Sequence, residues 1–179
     1  MIDWKYFYDK YYSDNRSLYD LLSVHSTHVA DKALSIADAH PELGLDRDFL
    51  LEASMLHDIG IFRTDAAGIH CFGDLPYICH GIAGAEILRQ AGLERHALVC
   101  ERHTGAGIAL DEIIAKELPL PHRDMRPVSQ EEIVVCFADK FFSKTRPDEE
   151  KSVEGAEKSL FKFGQEGIDR FRLWCSLYL

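Results

Sequence analysis

Along residues 18–36 the apolar side chains Leu18, Leu21, Leu22, Val29, Ala33 and Ile36 recur at i, i+3, i+4 and i+7, and His25 stands in the middle of that stripe. This period dictates a helix with one buried face. It also places an imidazole where burial is costly unless something satisfies the ring. The same conflict returns further on. In "ASMLHDIGIF", residues 53–62, His57 follows Ala53 by one turn and Leu50 by two, and Asp58 is its direct neighbour. His80 opens a stripe that continues through Gly84, Ile87 and Leu88, and His103 closes one carrying His96, Val99 and Cys100. Asp139 stands one turn after Val135 in "EEIVVCFADKFF". Five helical segments thus point one or two polar groups each into the core, so the chain has to pack as helices around a polar centre.

The period is helical throughout, and the fold class read from it is all-α. A short aromatic-rich helix is expected over about residues 3–13, and a long one from an N-cap at Ser17 to Ala39, stopped by "HPELG". A third is expected over about Asp46–Ile59, ending at Gly60, and others over about 80–91, closed by Gly92, and 94–103. Residues 61–79 read as an irregular loop, and "TGAGIALDEIIAKELPLPHRDMRPVS" as a short helix inside a proline-punctuated one. A strong helix follows Ser129, whose "SQEE" places acids in its first turn, and one or two amphipathic helices fill the tail from Asp148. No stretch alternates with period two for long enough to be a strand.

At 179 residues the chain is long enough for one domain with a core and short for two. We read residues 1–179 as a single domain with a core over about 18–146 and helices over about 148–179 packed on it. The aromatic face of "EKSLFKFGQEGIDRFRLWCSLYL" could instead form a homodimer contact, but a chain of this size needs the area. A net charge of −10 argues against a nucleic-acid or anionic-membrane partner. It leaves room for a phosphate-bearing small molecule held by a local cation. No apolar run reaches the roughly 18 residues of a membrane span, and "MIDWKYFYDKYY" lacks the signal-peptide pattern, so a soluble, cytoplasmic chain is expected. The five cysteines, an odd number with no C-x-x-C pair, read as core residues or free thiols.

A single buried histidine is ordinarily a core residue bonded to backbone. Taken together, His25, His57, Asp58, His80, His103 and Asp139 are six polar groups in one small core. Among basic residues only Lys32 and Lys140 share their stripes, and both are expected to snorkel outward. Divalent metals solve the problem, because imidazoles and carboxylates are their ligands. His28 falls towards the stripe's edge, and His28, His40, His96 and His122 read as structural or surface residues.

The order His … His-Asp … Asp with "LHDIG" in the middle resembles the HD superfamily of metal-dependent phosphohydrolases, over roughly residues 18–146. "HSTHVADKALSIA" is similar to that family's first helix, whose ligand lies four residues before the valine, which selects His25. "ASMLHDIG" supplies His57 and Asp58, and "VVCFADKF" supplies Asp139. The segments "YICHGIAGAEIL" and "ERHTGAG" resemble a branch with two added histidines, here His80 and His103. That branch binds two metal ions and includes diadenosine tetraphosphate hydrolases. "GIHCFGDLPYI" and "LPLPHRDMRPVSQEE" depart from those hydrolases and look more like a neighbouring set of small HDIG hydrolases.

The resemblance implies a helical bundle of roughly seven to nine helices and a dinuclear centre. Asp58 would bridge the ions, with His25, His57 and Asp139 on one and His80 and His103 on the other. The metals would be two divalent transition ions: iron, manganese, zinc, cobalt or nickel rather than magnesium. Shared water would drop in pKa from 15.7 towards about 7, and the resulting hydroxide would attack a phosphate ester or anhydride of a nucleotide-like substrate. His57 and Asp58 are thereby the catalytic candidates. Arg63, His70, Thr104, Lys140 and Arg146 are candidates for substrate contact. Three rival readings stand beside this one: a regulatory module that binds metal and nucleotide without hydrolysis, a di-iron oxygenase-type HD protein, and a helical adaptor with an ion-free polar core.

Overall fold

The computed structural model describes residues 2–179, and its mostly helical architecture holds nine α-helices among them. These are α1 (Trp4–Tyr12), α2 (Arg16–Ala39), α3 (Arg47–Leu56), α4 (His80–Gln90), α5 (Glu94–Arg102), α6 (Leu110–Ala115), α7 (Gln130–Asp139), α8 (Val153–Ser159) and α9 (Gln165–Tyr178). α2 packs on α3 and α7, α4 and α5 form a tight antiparallel pair, and α5 and α3 also meet α7. No helix among the described residues is long and apolar enough to cross a membrane.

The ends of the elements follow local chemistry. α2 starts at Asn15, not Ser17, because the Asn15 Oδ1 accepts from the Leu18 amide while Ser17 stays exposed. α7 opens with a complete capping box: Ser129 Oγ accepts from the Glu132 amide, and Glu132 Oε1 accepts from the Ser129 amide. The loop expected over 61–79 is more ordered than its composition indicates. It contains three 3₁₀ turns and a two-residue antiparallel pairing, β1 (Asp65–Ala66) with β2 (Cys71–Phe72). Ile108 and Met125 pair across the base of the long 104–129 loop.

α3 ends at Leu56, three residues sooner than its periodicity predicts, and the freed carbonyls are all met. Tyr8 Oη donates to Met55 O and Tyr12 Oη to Ile59 O, both at 2.6 Å. The Cys100 thiol reaches Leu56 O and His57 O. The aromatic helix α1 therefore serves as a buried polar clamp on the turn that carries His57 and Asp58. On the far side of the core, α9 lays Phe171, Trp174 and Tyr178 against Phe137 and Phe141 of the α7 segment. Arg170 also donates to Ala106 O and Gly107 O, fixing the loop that follows His103.

Gly60 sets the distance between the His57–Asp58 turn and α4. Its φ of −92° is open to any residue, but a Cβ there would run into the backbone of Gly84, His80 and Ala83. Gly60→Ala should therefore lower stability by about 2 kcal/mol or more through overpacking. Gly68→Ala, where a Cβ meets nothing within 4 Å, should stay within about 0.5 kcal/mol of the parent in urea unfolding.

Candidate metal centre

Asp58 is fully buried, and its two oxygens divide the histidines between them. Next to Oδ2 stand His25 Nε2 at 3.2 Å and His57 Nε2 at 3.0 Å. Asp139 Oδ1 joins them, 3.0 Å from His25 Nε2 and 3.4 Å from His57 Nε2. Next to Oδ1 stand His80 Nε2 and His103 Nε2, both at 3.4 Å. Two groups of ligand-type atoms result, His25–His57–Asp58–Asp139 and Asp58–His80–His103, each with its atoms within 4.8 Å of one another. All six residues come from five separate segments, and Asp58 belongs to both groups.

The imidazoles are oriented from behind. Three rings donate Nδ1–H to the carbonyl three residues earlier: His57 to Ser54 O at 2.6 Å, His80 to Tyr77 O at 2.6 Å and His103 to Cys100 O at 2.7 Å. A carbonyl only accepts, so Nδ1 holds the hydrogen and a neutral ring presents a bare lone pair at Nε2. Burial keeps His80 neutral, pushing its pKa down to about 3, and lowers that of His103 as well. Yet their Nε2 atoms face each other at 3.0 Å. Two lone pairs aimed at one another repel, and a cation between them turns the repulsion into coordination. Asp58 Oδ1 is likewise buried without a hydrogen bond, its neighbours being the same two Nε2 atoms, which points the same way. The nitrogen-rich donor set fits divalent transition metals.

Charge alone does not demand a metal, which corrects one expectation. Lys140 does not snorkel outward. It is buried, 2.8 Å from Asp139 Oδ2, and donates to His103 O at 3.0 Å. Lys140 caps α7 with φ −62° and ψ −25°, still helical, and its ammonium is drawn inward by the Asp139 carboxylate and the carbonyl of His103. Lys144 comes closer still, with Nζ 2.5 Å from Asp58 Oδ2. Burial works against charge on both carboxyls, but Lys144 and His57 hold the Asp58 pKa, and Lys140 and His25 that of Asp139, well below the usual range. Burial also opposes charge on His57, and the Asp58 and Asp139 carboxylates outweigh it, raising its pKa to about 9.

The substrate candidates separate. Thr104 and Lys140 line a cavity of about 450 Å³ that opens from His80, His103 and Asp139. Arg63, His70 and Arg146 do not line it. Arg63 is tied to Glu86 at 2.6 Å on the half-exposed flank of α4, and Arg146 pairs with Glu149 at the surface. His70 takes a left-handed backbone, φ 62°, that turns its ring into solvent while its carbonyl accepts from Asn15 Nδ2. His28 bonds Pro147 O, His40 pairs with Glu42, His96 pairs with Glu52 and His122 is exposed, all outside the centre. The sequence reading missed Lys144, Lys151 and Lys162, which line the cavity. No stripe could have signalled them, because Lys144 and Lys151 follow the end of α7 and Lys162 lies in the 3₁₀ turn before α9.

Comparison with known proteins agrees with this geometry. The HD domain family matches residues 22–143. An uncharacterized protein of Methanocaldococcus jannaschii is 35% identical over 158 residues, which is 82% of this chain and 86% of that one. The tRNA (cytidine(56)-2'-O)-methyltransferase of Picrophilus torridus is 38% identical over 71% of this chain, and that of Thermoplasma volcanium 34% over 69%. The match spans only 33% and 32% of those two enzymes. No solved structure matches the chain. With its buried His/Asp centre inside the matched span, the chain belongs to the HD domain family.

Proposed function

We propose that the chain is a metal-dependent phosphohydrolase acting on a phosphate ester or anhydride bond of a nucleotide-like substrate. His25, His57, Asp58 and Asp139 would hold one divalent transition metal, and Asp58, His80 and His103 a second. The observation that carries the reading is the opposed pair of lone pairs on His80 and His103, beside a carboxylate shared between two ligand groups.

When bound, such ions supply Lewis acidity and bring the pKa of a water towards about 7. The protein's own residues do the rest. The carbonyls of Ser54, Tyr77 and Cys100 lock the three rings so that Nε2 points inward. Lys140 fixes Asp139 against the carbonyl of His103, coupling the two ligand groups mechanically. Lys144, Lys151 and Lys162 give a chain of net charge −10 a locally cationic cavity wall that suits a phosphate. A second reading, a module that retains metal and binds a nucleotide without cleaving it, draws on the methyltransferase relatives, in which the matched segment is about a third of a protein named for another activity. Turnover across a panel of phosphate esters separates the two.

Elemental analysis of protein purified without chelator should find about two transition ions per chain. Asp58→Ala should lose both and abolish turnover, whereas His80→Ala should keep about one. His28→Ala should bind metal like the parent, and His25→Ala should not. Metal uptake also has a proton signature. His57 is protonated below about 9 in the metal-free chain, and only its neutral form is a ligand. Uptake near pH 8 should therefore release about one proton, and affinity should fall about tenfold per pH unit below 9. Titration calorimetry in buffers of different ionisation enthalpy measures both.

A further inference from the structure

A second cavity of about 310 Å³ adjoins the metal-side one, and Tyr77, His80, Thr104, Lys162 and Phe163 line both. The two are compartments of one cleft with opposite character. The metal side carries Lys140, Lys144 and Lys151, Lys162 is shared, and Lys116 belongs to the second side. The second side is walled by Tyr77, Ile78, Leu118 and Phe163 and has one carboxylate, Glu112. The Tyr77 ring stacks on His80 with centroids 4.7 Å apart and planes 24° from parallel, so both stand at the junction of the two compartments. Lys116 straps the far wall, bonding Glu112 Oε1 at 2.7 Å and Phe163 O at 3.3 Å. Glu112 Oε2 makes no hydrogen bond among the described residues. Glu112, held by Lys116 through Oε1, is thus the one carboxylate lining a compartment that Tyr77 and Phe163 also line.

We infer that this second compartment binds the organic part of the substrate, a single planar nitrogen heterocycle that presents an N–H donor to Glu112. The inference rests on the phosphohydrolase reading and narrows it to a monoester joining one ring-bearing group to phosphate. Two walls supply this chemistry: Tyr77 and Phe163 offer π faces, and an ionised acceptor rewards a donor edge more than a neutral one would. Size sets the limit. A volume of 310 Å³ lies at the small end of ligand sites, roughly 300–1,000 Å³. It has room for one ring system and its linker, so a dinucleoside would leave its second base outside.

The test compares methyl phosphate, guanosine 5'-monophosphate and diadenosine tetraphosphate as substrates of the metal-loaded parent, the Glu112→Gln variant and the Phe163→Ala variant. The ratio of kcat/KM for the guanosine ester to that for methyl phosphate should be large in the parent. It should fall about tenfold in each variant, the scale of one lost hydrogen bond to a charged group or one lost aromatic contact. An unchanged ratio, or equal preference for the dinucleotide, overturns the inference while leaving hydrolysis intact. If no ester turns over, the hydrolase reading falls. Calorimetric binding of guanosine 5'-monophosphate to the metal-loaded chain then decides the compartment. Binding that Glu112→Gln weakens supports it, and absent or unaltered binding overturns it.

Discussion

The structure depends on one carboxylate with nowhere else to go. Asp58 is sealed from solvent, and its oxygens face four imidazole nitrogens and one ammonium. A group so placed is stable only while every neighbour keeps its position, because a buried charge that loses a partner costs several kcal/mol. The fold can be read as the device that holds those neighbours still. Each of the three locked histidines lies at the end of its helical segment or the start of the next, where the carbonyl three residues back is free to take Nδ1–H. Helix ends, normally a liability of unpaired carbonyls, here become the aiming mechanism.

The same economy appears behind the His57–Asp58 turn. Where α3 stops, two tyrosine hydroxyls and a cysteine thiol take over its carbonyls. None of these three groups touches the centre. They make the early end of the helix possible, and the early end lets His57 and Asp58 point to the same side although they are neighbours in sequence. In a continued helix they would diverge by about 100°. The close approach of Gly60 to Gly84 then brings α4, and with it His80, within reach of Asp58.

This explains which parts were legible from residues alone. Stripes report which face of a helix is buried, so His25 was separable from His28, and the ligand-bearing segments could be found one by one. Stripes say nothing once the helix stops. Lys140 caps the end of α7 and turns inward against the expectation of snorkelling, and Lys144, for which there was no expectation, lies beyond the helix, where the 3.6-residue rule no longer governs direction. The partner of Arg63 was hidden for a related reason: Glu86 sits on α4, and no local pattern reveals such a partner. The Asn15 cap escaped because Ser17 offered equally good capping chemistry two residues later. Only the tertiary contact of Asn15 with His70 O distinguishes them.

The two lysines change the electrostatic account of the centre. With Asp58 and Asp139 set against Lys140 and Lys144, the metal-free core is already close to balanced, which is how the polar groups can be buried without an ion. What the lysines cannot do is relieve the imidazole lone pairs, because Lys140 and Lys144 reach carboxylates and a backbone carbonyl, not Nε2 of His80 or His103. The nitrogen ligands, rather than the acids, are therefore the reason to place cations there. Two divalent ions added to that set, with His57 surrendering its proton, would leave an excess of about four positive charges. On the proposed function, an excess of that size at the floor of a cavity, inside a chain whose overall charge is −10, would hold phosphate by a local field that the surrounding surface opposes. On the same proposal, polyanions as large as a nucleic acid would meet that surface first, whereas a small phosphate ester would reach the cavity floor.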